Sequence, residues 1–207
     1  MNISFCITSD FSDLNRLNDI IASIRSLNIP EYEIIIIGEN PPSDLYDTRF
    51  INFDESIKTS WITRKKNILA QEAQYENIVM FHDYFVFDSE WYNEFLKFGD
   101  DWDVCSNSQL LITGHRHFAD WVIWDHPTFP RWSSLPYTDW DNTKYMYISG
   151  NYFLVKKSFI LANPLNEDLT WGMSEDVEWS LRIRNNAVIK CNGKSIVKHN
   201  KIHRDAR

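Results

Sequence analysis

Hydrophobic residues in the first half of the chain follow a strand-like pattern and a helix-like pattern in turn. Residues 3–8 and 33–38 are nearly continuous apolar runs, which predict strands buried on both faces in the middle of a parallel sheet. Between these runs, apolar residues recur at the spacing of one helical face, and Asn28 and Pro30 end the predicted helix. The alternation continues with a strand at 48–53, a helix at 60–74 and a strand at 77–81. This order predicts an α/β fold with right-handed crossovers and a mostly parallel central sheet flanked by helices.

The second half of the chain has a less regular pattern. It predicts helices at 90–98, at 156–162 and after residue 174, and strands at 103–107, 147–155 and 194–203. Ser12 and Ser174 are suited to cap the helices that follow them. From 114 to 147 the periodicity is lost, and three prolines exclude a long helix there.

Trp and Tyr side chains are concentrated among aspartates in the segment 118–147. Two interpretations of this segment stay open. It can be an irregular excursion packed together by its own aromatic rings. It can also be an acceptor platform, because sugar rings stack their C–H faces on aromatic side chains such as Trp124 and Trp132. Shortly after it, Gly150 interrupts the predicted strand 147–155, which indicates a bulge or a close approach of ligand to backbone.

Polar residues directly follow three of the predicted strands. They are Thr8-Ser9-Asp10, Gly38-Glu39 and His82-Asp83-Tyr84. Ligands of open α/β sheets bind outside the carboxyl ends of the strands, so these residues predict one crevice. Simpler interpretations stay open, since Asp10 can start a turn, Glu39 can be a solvated acid, and the basic run 64–66 can be a solvated helix face. Asp83, between two apolar runs, either accepts backbone hydrogen bonds or binds a ligand.

Residues 171–179 bring a glycine-bearing turn and two adjacent carboxylates, Glu175 and Asp176, to the start of a helix. The simpler interpretation is that each acid stabilises the helix dipole by about 0.3–1 kcal/mol. The turn at Trp171 and Gly172 favours a catalytic interpretation, because an aromatic wall can desolvate a carboxylate and raise its pKa, as a general base requires.

Composition and charge narrow the function classes. The chain has 207 residues, enough for one domain with a sizeable core, and its formal net charge of −8 argues against a nucleic-acid-binding surface. Its three cysteines lie far apart, without a disulfide or zinc spacing, which favours a cytoplasmic location. We find no signal-peptide pattern and no apolar stretch long enough to span a membrane, while peripheral membrane association stays open.

Taken in order, these features resemble the GT-A glycosyltransferases over nearly the whole chain, in particular the bacterial family 2-like sugar transferases. The C-terminal half is also similar to the galactosyltransferase family with a Gly-Trp-Gly-x-Glu-Asp motif. Lys66-Asn67 stand where these enzymes often have Arg-Asn, and His82-Asp83-Tyr84 stand where they have Asp-x-Asp. Residues 171–176 match the motif whose second acid deprotonates the acceptor hydroxyl, and His199 matches the late histidine of the metal site.

The resemblance implies roles for three groups of residues. Asp176 is the expected catalytic base, and Glu175 is expected to orient the acceptor or to cap the helix. The expected nucleotide-sugar contacts are Thr8, Asp10, Glu39, Lys66, Asn67, His82, Asp83 and Gly150. The expected acceptor contacts are Trp124, Trp132, Trp171 and Gly172.

A divalent cation, Mn²⁺ or Mg²⁺, is also implied, with Asp83 and His199 as its ligands. The Asp-x-Asp position departs from the family pattern, because both acids that flank the middle residue are replaced. Several alternatives therefore stay open. His82 can join the ligands, His203 can replace His199, and Lys or Arg side chains can hold the phosphates without a metal.

The function implied is that of an inverting glycosyltransferase. It would move a sugar from a nucleotide-sugar to a hydroxyl of a saccharide or lipid-linked acceptor in surface polysaccharide synthesis. We expect a single GT-A-like domain over residues 1–207, with a nucleotide-sugar-binding half at 1–105 and an acceptor-binding, catalytic half at 106–207. The alternative is a non-catalytic sugar- or nucleotide-binding module of the same fold. The sequence does not determine the donor, the acceptor or the oligomeric state.

Overall fold

Strands and helices alternate through residues 1–42, 47–118 and 120–200, the part of the chain that the computed structural model describes. The strands are β1 (Ile3–Thr8), β2 (Tyr32–Gly38), β3 (Arg49–Asn52), β4 (Asn77–His82), β5 (Phe85–Phe87), β6 (Val104–Leu110), β7 (Val122–Ile123), β8 (Met146–Tyr147), β9 (Tyr152–Lys156) and β10 (Ile189–His199). The α-helices are α1 (Leu14–Arg25), α2 (Ile62–Glu72), α3 (Trp91–Phe98), α4 (Lys157–Ala162) and α5 (Glu175–Ile183).

The central sheet has the strand order β3-β2-β1-β4-β9-β6-β10-β5 within the described residues. The pairs β3–β2, β2–β1, β1–β4 and β6–β10 are parallel. Strand β9 is antiparallel to both of its neighbours, and β5 is antiparallel to β10. The other six strands of this described sheet therefore point the same way, which confirms the predicted α/β class with a mostly parallel sheet.

Helices cover both faces of the sheet because its central strands are apolar on both sides. One face packs against α1 and α3, through side chains such as Leu17 and Trp91. The opposite face packs against α2, α4 and α5, through side chains such as Leu69, Ile160 and Trp179. None of the helices in the described ranges is long and apolar enough to cross a membrane.

The N-caps of two helices differ from the prediction. Asp13, and not Ser12, caps α1, because its carboxylate accepts a hydrogen bond from the Arg16 N–H at 3.0 Å. Ser174 holds the N-cap position of α5, but its side chain makes no capping hydrogen bond. Its backbone is left-handed, with φ 59°, whereas capping side chains usually project from an extended backbone.

Two predicted strands have different bounds in the structure. The strand predicted at 147–155 is divided into β8 and β9, and Gly150 lies in the turn between them rather than inside a strand. The last strand, β10, begins at Ile189, before the predicted start at 194, and ends at His199. His203 lies outside the described residues.

The aromatic segment 118–147 is irregular, as predicted. In its described part, β7 and β8 pair antiparallel, and one turn of 3-10 helix spans Thr143–Tyr145. Trp121 is fully buried, whereas Trp132 and Trp140 are 45% and 46% exposed. Both interpretations of the segment therefore keep support, because some rings join the core and others reach solvent.

Candidate active site

A cavity of about 940 Å³ opens at the carboxyl ends of β1, β2 and β4. Five of the expected nucleotide-sugar contacts line it, namely Thr8, Asp10, Glu39, His82 and Asp83. These residues meet because the three parallel strands end at the same side of the sheet. The structure thus brings the three polar strand ends together, as the topology of the sequence predicts.

Arg16 also lines this cavity, although the sequence did not single it out. It lies in the first turn of α1, and its Nε donates to the backbone carbonyl of Asp83 at 2.7 Å. Its guanidinium also lies 3.7 Å from Asp83 Oδ2, which accepts a hydrogen bond from Ser9 Oγ at 2.6 Å. Asp83 is therefore held by side chains from β1's end and from α1. The signal in the sequence was a lone basic residue shortly after the polar end of the first strand.

His199 lies in a row of aromatic side chains at the end of β10. Its ring stacks on His117 with 4.5 Å between centroids and meets the edge of Phe85 at the same distance. Only 2% of His199 is exposed. Within residues 1–42, 47–118 and 120–200, no three His, Cys, Asp or Glu side chains converge as a metal site. The assignment of Asp83 and His199 as metal ligands therefore stays a prediction.

Lys66 and Asn67 point into the protein rather than line the cavity. Asn67 bridges to the segment before α5: its amide donates to the Leu165 carbonyl and accepts from the Leu165 N–H. The fully buried Lys66 Nζ donates to the Gly150 carbonyl at 2.5 Å. The neighbouring Lys65 does line the cavity, where it pairs with Glu55. The interpretation of residues 64–66 as a solvated helix face is thus wrong for Lys65 and Lys66, both of which are buried.

The carboxylate of Asp176 is held by groups that are distant in the sequence. Its Oδ2 accepts hydrogen bonds from the Tyr147 hydroxyl at 2.5 Å and from the Gly150 N–H at 3.0 Å. Its Oδ1 accepts from the N–H of Val177 at 2.9 Å. The aspartate is half-buried, so the start of α5 and the turn after β8 fix this side chain together.

Glu175 makes a different set of contacts from its neighbour. It is 6% exposed. Burial raises the pKa of Glu175, and the nearby Asp176 carboxylate raises it further. The backbone N–H groups of Glu175 itself and of Gly172 act to lower the pKa of its carboxylate. The two roles expected for Glu175, orienting the acceptor and capping the helix, both stay predictions.

Trp171 connects the acid-bearing turn to the cavity. Its side chain lines the cavity and is 68% exposed, while its N–H donates to the Ser60 carbonyl at 3.1 Å. Gly172 follows with φ 82°, a left-handed conformation that glycine adopts without steric cost. The turn therefore places one aromatic ring in the wall of the cavity and leads the chain into Glu175 and Asp176.

Three aromatic rings pack together beside Asp176. Trp124 and Trp132 meet edge to face at 5.1 Å, and each lies within 6 Å of the Tyr147 ring, at 5.8 and 5.7 Å. Tyr147 is the residue that donates to Asp176. Trp124 and Trp132, two of the expected acceptor contacts, thus pack against the residue that hydrogen-bonds the candidate base. The sequence marked Tyr147 only as one aromatic among many, because its hydrogen bond spans 29 residues.

Comparison with known proteins identifies the fold. No model of a protein family matches the chain, and no curated protein does. Among solved structures, residues 1–349 of S. aureus TarS in complex with UDP-GlcNAc match at a TM-score of 0.67 and 13% identity, over 99% of this chain and 60% of that one. GalNAc-T7 with UDP, GalNAc and Mn²⁺ matches at 0.71 and 13% identity, over 96% and 44%.

The likeness at such low identity concerns the fold, and the chain spans about 60% of the length of the TarS fragment. The mixed eight-stranded sheet of the described residues, with helices on both faces, has the architecture of these proteins. The chain has the α/β fold of the GT-A glycosyltransferases.

Proposed function

We propose that this protein is a glycosyltransferase that uses a uridine diphosphate sugar as donor and transfers the sugar with inversion. The observation that carries the proposal is the cavity of about 940 Å³ at the carboxyl ends of the parallel strands, walled by Trp171 of the acid-bearing turn. The fold likeness supports the nucleotide, because the TarS structure contains UDP-GlcNAc and the GalNAc-T7 structure contains UDP.

The donor is proposed to lie over the ends of β1, β2 and β4. Thr8, Asp10 and Glu39 provide hydroxyl and carboxylate groups for the nucleoside. Arg16 and Lys65 are cationic residues in the lining of the same cavity, where they can neutralise part of the charge on the diphosphate. Each cation already pairs with an acid, Arg16 with Asp83 and Lys65 with Glu55, so both are held in fixed positions.

Asp176 is the proposed base. The acceptor hydroxyl gives its proton to the Asp176 carboxylate while its oxygen forms a bond to the anomeric carbon of the donor sugar. The bond from that carbon to the phosphate oxygen breaks on the opposite face, and the electron pair leaves with the uridine diphosphate. The result is an inverted linkage. The O–H of Tyr147 and the N–H of Gly150 hold the carboxylate in place for this transfer.

The acceptor is proposed to approach over the aromatic cluster of Trp124, Trp132 and Tyr147. Trp132 is 45% exposed and can stack against the C–H face of a sugar ring. A saccharide or lipid-linked acceptor of surface polysaccharide synthesis suits such a platform. The second candidate, a non-catalytic binding module, keeps support from the replaced acids on both sides of Asp83.

A divalent cation would supply charge neutralisation at the diphosphate when bound. GalNAc-T7 was solved with Mn²⁺, and Asp83 is one of the carboxylates that line the cavity of this chain, next to His82. The described residues do not by themselves provide three ligands, so no step above depends on a metal.

A thermal-shift screen tests the proposal. UDP-GlcNAc, UDP-GalNAc, UDP-glucose and UDP-galactose, each with and without Mn²⁺, are compared with GDP-mannose. A donor at about 100 times its Kd should stabilise the fold by about 2.7 kcal/mol, which raises Tm by roughly 5–10 °C. The selected donor is then incubated with the protein and acceptor saccharides, and release of UDP is measured. Binding without any transfer would support the non-catalytic module, and no binding at all would contradict the proposal.

A further inference from the structure

Lys66 is a cation enclosed within the protein. It lies in α2, its side chain has no exposed surface, and its ammonium lies 5.7 Å from the centroid of the Phe153 ring. A charge so far from water is costly unless it is paired and hydrogen-bonded. The hydrogen bond from its Nζ to the Gly150 carbonyl, at 2.5 Å, is therefore one that the buried side chain depends on.

One residue, Gly150, joins this cation to the candidate base. Its carbonyl accepts from Lys66 Nζ, and its N–H donates to Asp176 Oδ2 at 3.0 Å. A side chain here would crowd both partners. A Cβ at position 150 would lie 3.0 Å from both Cβ and Oδ2 of Asp176 and 3.3 Å from Lys66 Nζ. Glycine thus leaves room for Lys66 at the carbonyl and for Asp176 at the N–H of residue 150.

The charges around Lys66 fit this arrangement. Burial lowers the pKa of Lys66, whereas the negative charges of Asp176 and Glu175 oppose that shift. Tyr147, the other donor to Asp176, is a neutral hydroxyl whose pKa is raised, mainly by burial and then by the Asp176 charge. Lys66 is consequently a cation that the charges of both carboxylates stabilise.

We infer that Lys66 is a positioning residue, which fixes Gly150 and through it the Asp176 carboxylate, and that it does not bind the phosphates of the donor. This inference rests on the proposed function in that it assigns Asp176 to proton transfer. It replaces the role expected for Lys66 from the sequence, since the adjacent Lys65 is the lysine that lines the cavity. Proton transfer is sensitive to such positioning, because a misplacement of about 1 Å can cost about 100-fold in rate.

Lys66→Met, which keeps most of the length of the side chain and removes its charge, tests the inference. We expect kcat of transfer to fall about 10- to 100-fold, while the Kd for UDP, measured by calorimetry, changes less than about twofold. The amide of Gly150 should also move in ¹H–¹⁵N NMR spectra of the variant, because its carbonyl loses a charged donor. Lys65→Met is the matched variant, and it should weaken UDP binding and leave the Gly150 amide signal in place.

Gly150→Ala gives an independent test that keeps Lys66 and remains informative if Lys66→Met does not fold. The added Cβ should displace Asp176 and lower kcat to a similar extent at unchanged UDP affinity. A large rise in Kd for UDP in Lys66→Met with unchanged kcat would overturn the inference, as would an unmoved Gly150 signal. If the wild type transfers no sugar, the proposed function fails, and the Gly150 signal still decides whether Lys66 holds this residue.

Discussion

Replacing Asp176 by Asn removes the proposed proton acceptor and keeps the shape of the side chain. The oxygen of the new amide can still accept from the Tyr147 hydroxyl and the Gly150 N–H, which now lie 2.5 and 3.0 Å from Oδ2. An amide does not take a proton from a hydroxyl at neutral pH. We therefore expect kcat to fall by about 10²- to 10⁴-fold, the usual contribution of a positioned general base.

The stability of the Asp176→Asn protein should change little. Its amide nitrogen would replace Oδ1, which accepts from the Val177 N–H at 2.9 Å, so a hydrogen bond worth about 0.5–1.5 kcal/mol is lost. Removal of one of two adjacent carboxylates relieves repulsion with Glu175 and offsets part of that loss. In a chain of 207 residues, about 1 kcal/mol corresponds to a Tm change of about 2–4 °C.

Initial rates of UDP release with a saturating acceptor measure the effect, and thermal unfolding checks the fold. The matched control is Glu178→Gln on the same helix, because Glu178 pairs with Arg182 at 2.7 Å and touches none of the groups around Asp176 described above. It should keep the wild-type rate. An Asp176→Asn protein that keeps more than about a tenth of the wild-type kcat would refute the assignment of the base.

Three other substitutions probe the rest of the site. Asp83→Ala should weaken binding of the UDP-sugar about tenfold, or about 1.4 kcal/mol, and calorimetry with and without EDTA shows whether a metal contributes. Trp132→Ala should raise the acceptor KM by roughly threefold to tenfold through lost stacking, as measured by steady-state kinetics. Glu175→Gln should raise Tm relative to the wild type at pH 8, and Tm measured against pH should show this gap closing in acid.

The sign of the pH effect follows from burial. Because Glu175 has a pKa in the folded protein above its ordinary value of 4.5, the folded state binds the proton more tightly than the unfolded state. Stability therefore falls as pH rises through the window that begins near 4.5, and below it the carboxyl group carries no penalty. A gap of equal size at pH 4 and pH 8 would contradict this account.

Controls separate binding effects from general disruption. Trp140 is exposed to nearly the same extent as Trp132, 46% against 45%, and it packs against Phe98 away from the aromatic cluster. Trp140→Ala should leave the acceptor KM unchanged, so an equal effect of both substitutions would make the role of Trp132 structural. For Asp83, identical UDP-sugar affinity with and without EDTA would argue against a metal beside it.

Local patterns in the sequence were sufficient to predict a mostly parallel sheet and the crevice at the carboxyl ends of its strands. The apolar runs at β1, β2 and β4 need burial on both faces, and few arrangements besides a central parallel sheet provide it. Once those strands are parallel, their carboxyl ends meet, and Asp10, Glu39 and Asp83 come together without any further information. The prediction of one crevice therefore depended on topology alone.

The details of the site depend on contacts between distant parts of the chain. Lys65 lines the cavity, whereas Lys66 points to Gly150, and nothing in the helical pattern distinguishes them. The partner of Lys66 lies 84 residues further along the chain, beyond the reach of any local pattern. Ser12 and Asp13 are both good caps by residue type, and Asp13 holds the N-cap position because α1 begins at Leu14.

The two adjacent acids of α5, Glu175 and Asp176, differ in their contacts, and this difference bears on whether each is catalytic or only stabilises the helix. Successive residues of a helix point about 100° apart, so neighbouring side chains face different surroundings. The carboxylate of Glu175 is buried near the backbone N–H groups of itself and of Gly172, which offset only part of the cost of burying its charge. The Asp176 carboxylate accepts from the Val177 N–H of the helix, and in addition from Tyr147 and Gly150, which lie outside it. A helix-stabilising acid needs neither donor, so this difference favours Asp176 as the residue that acts on a substrate.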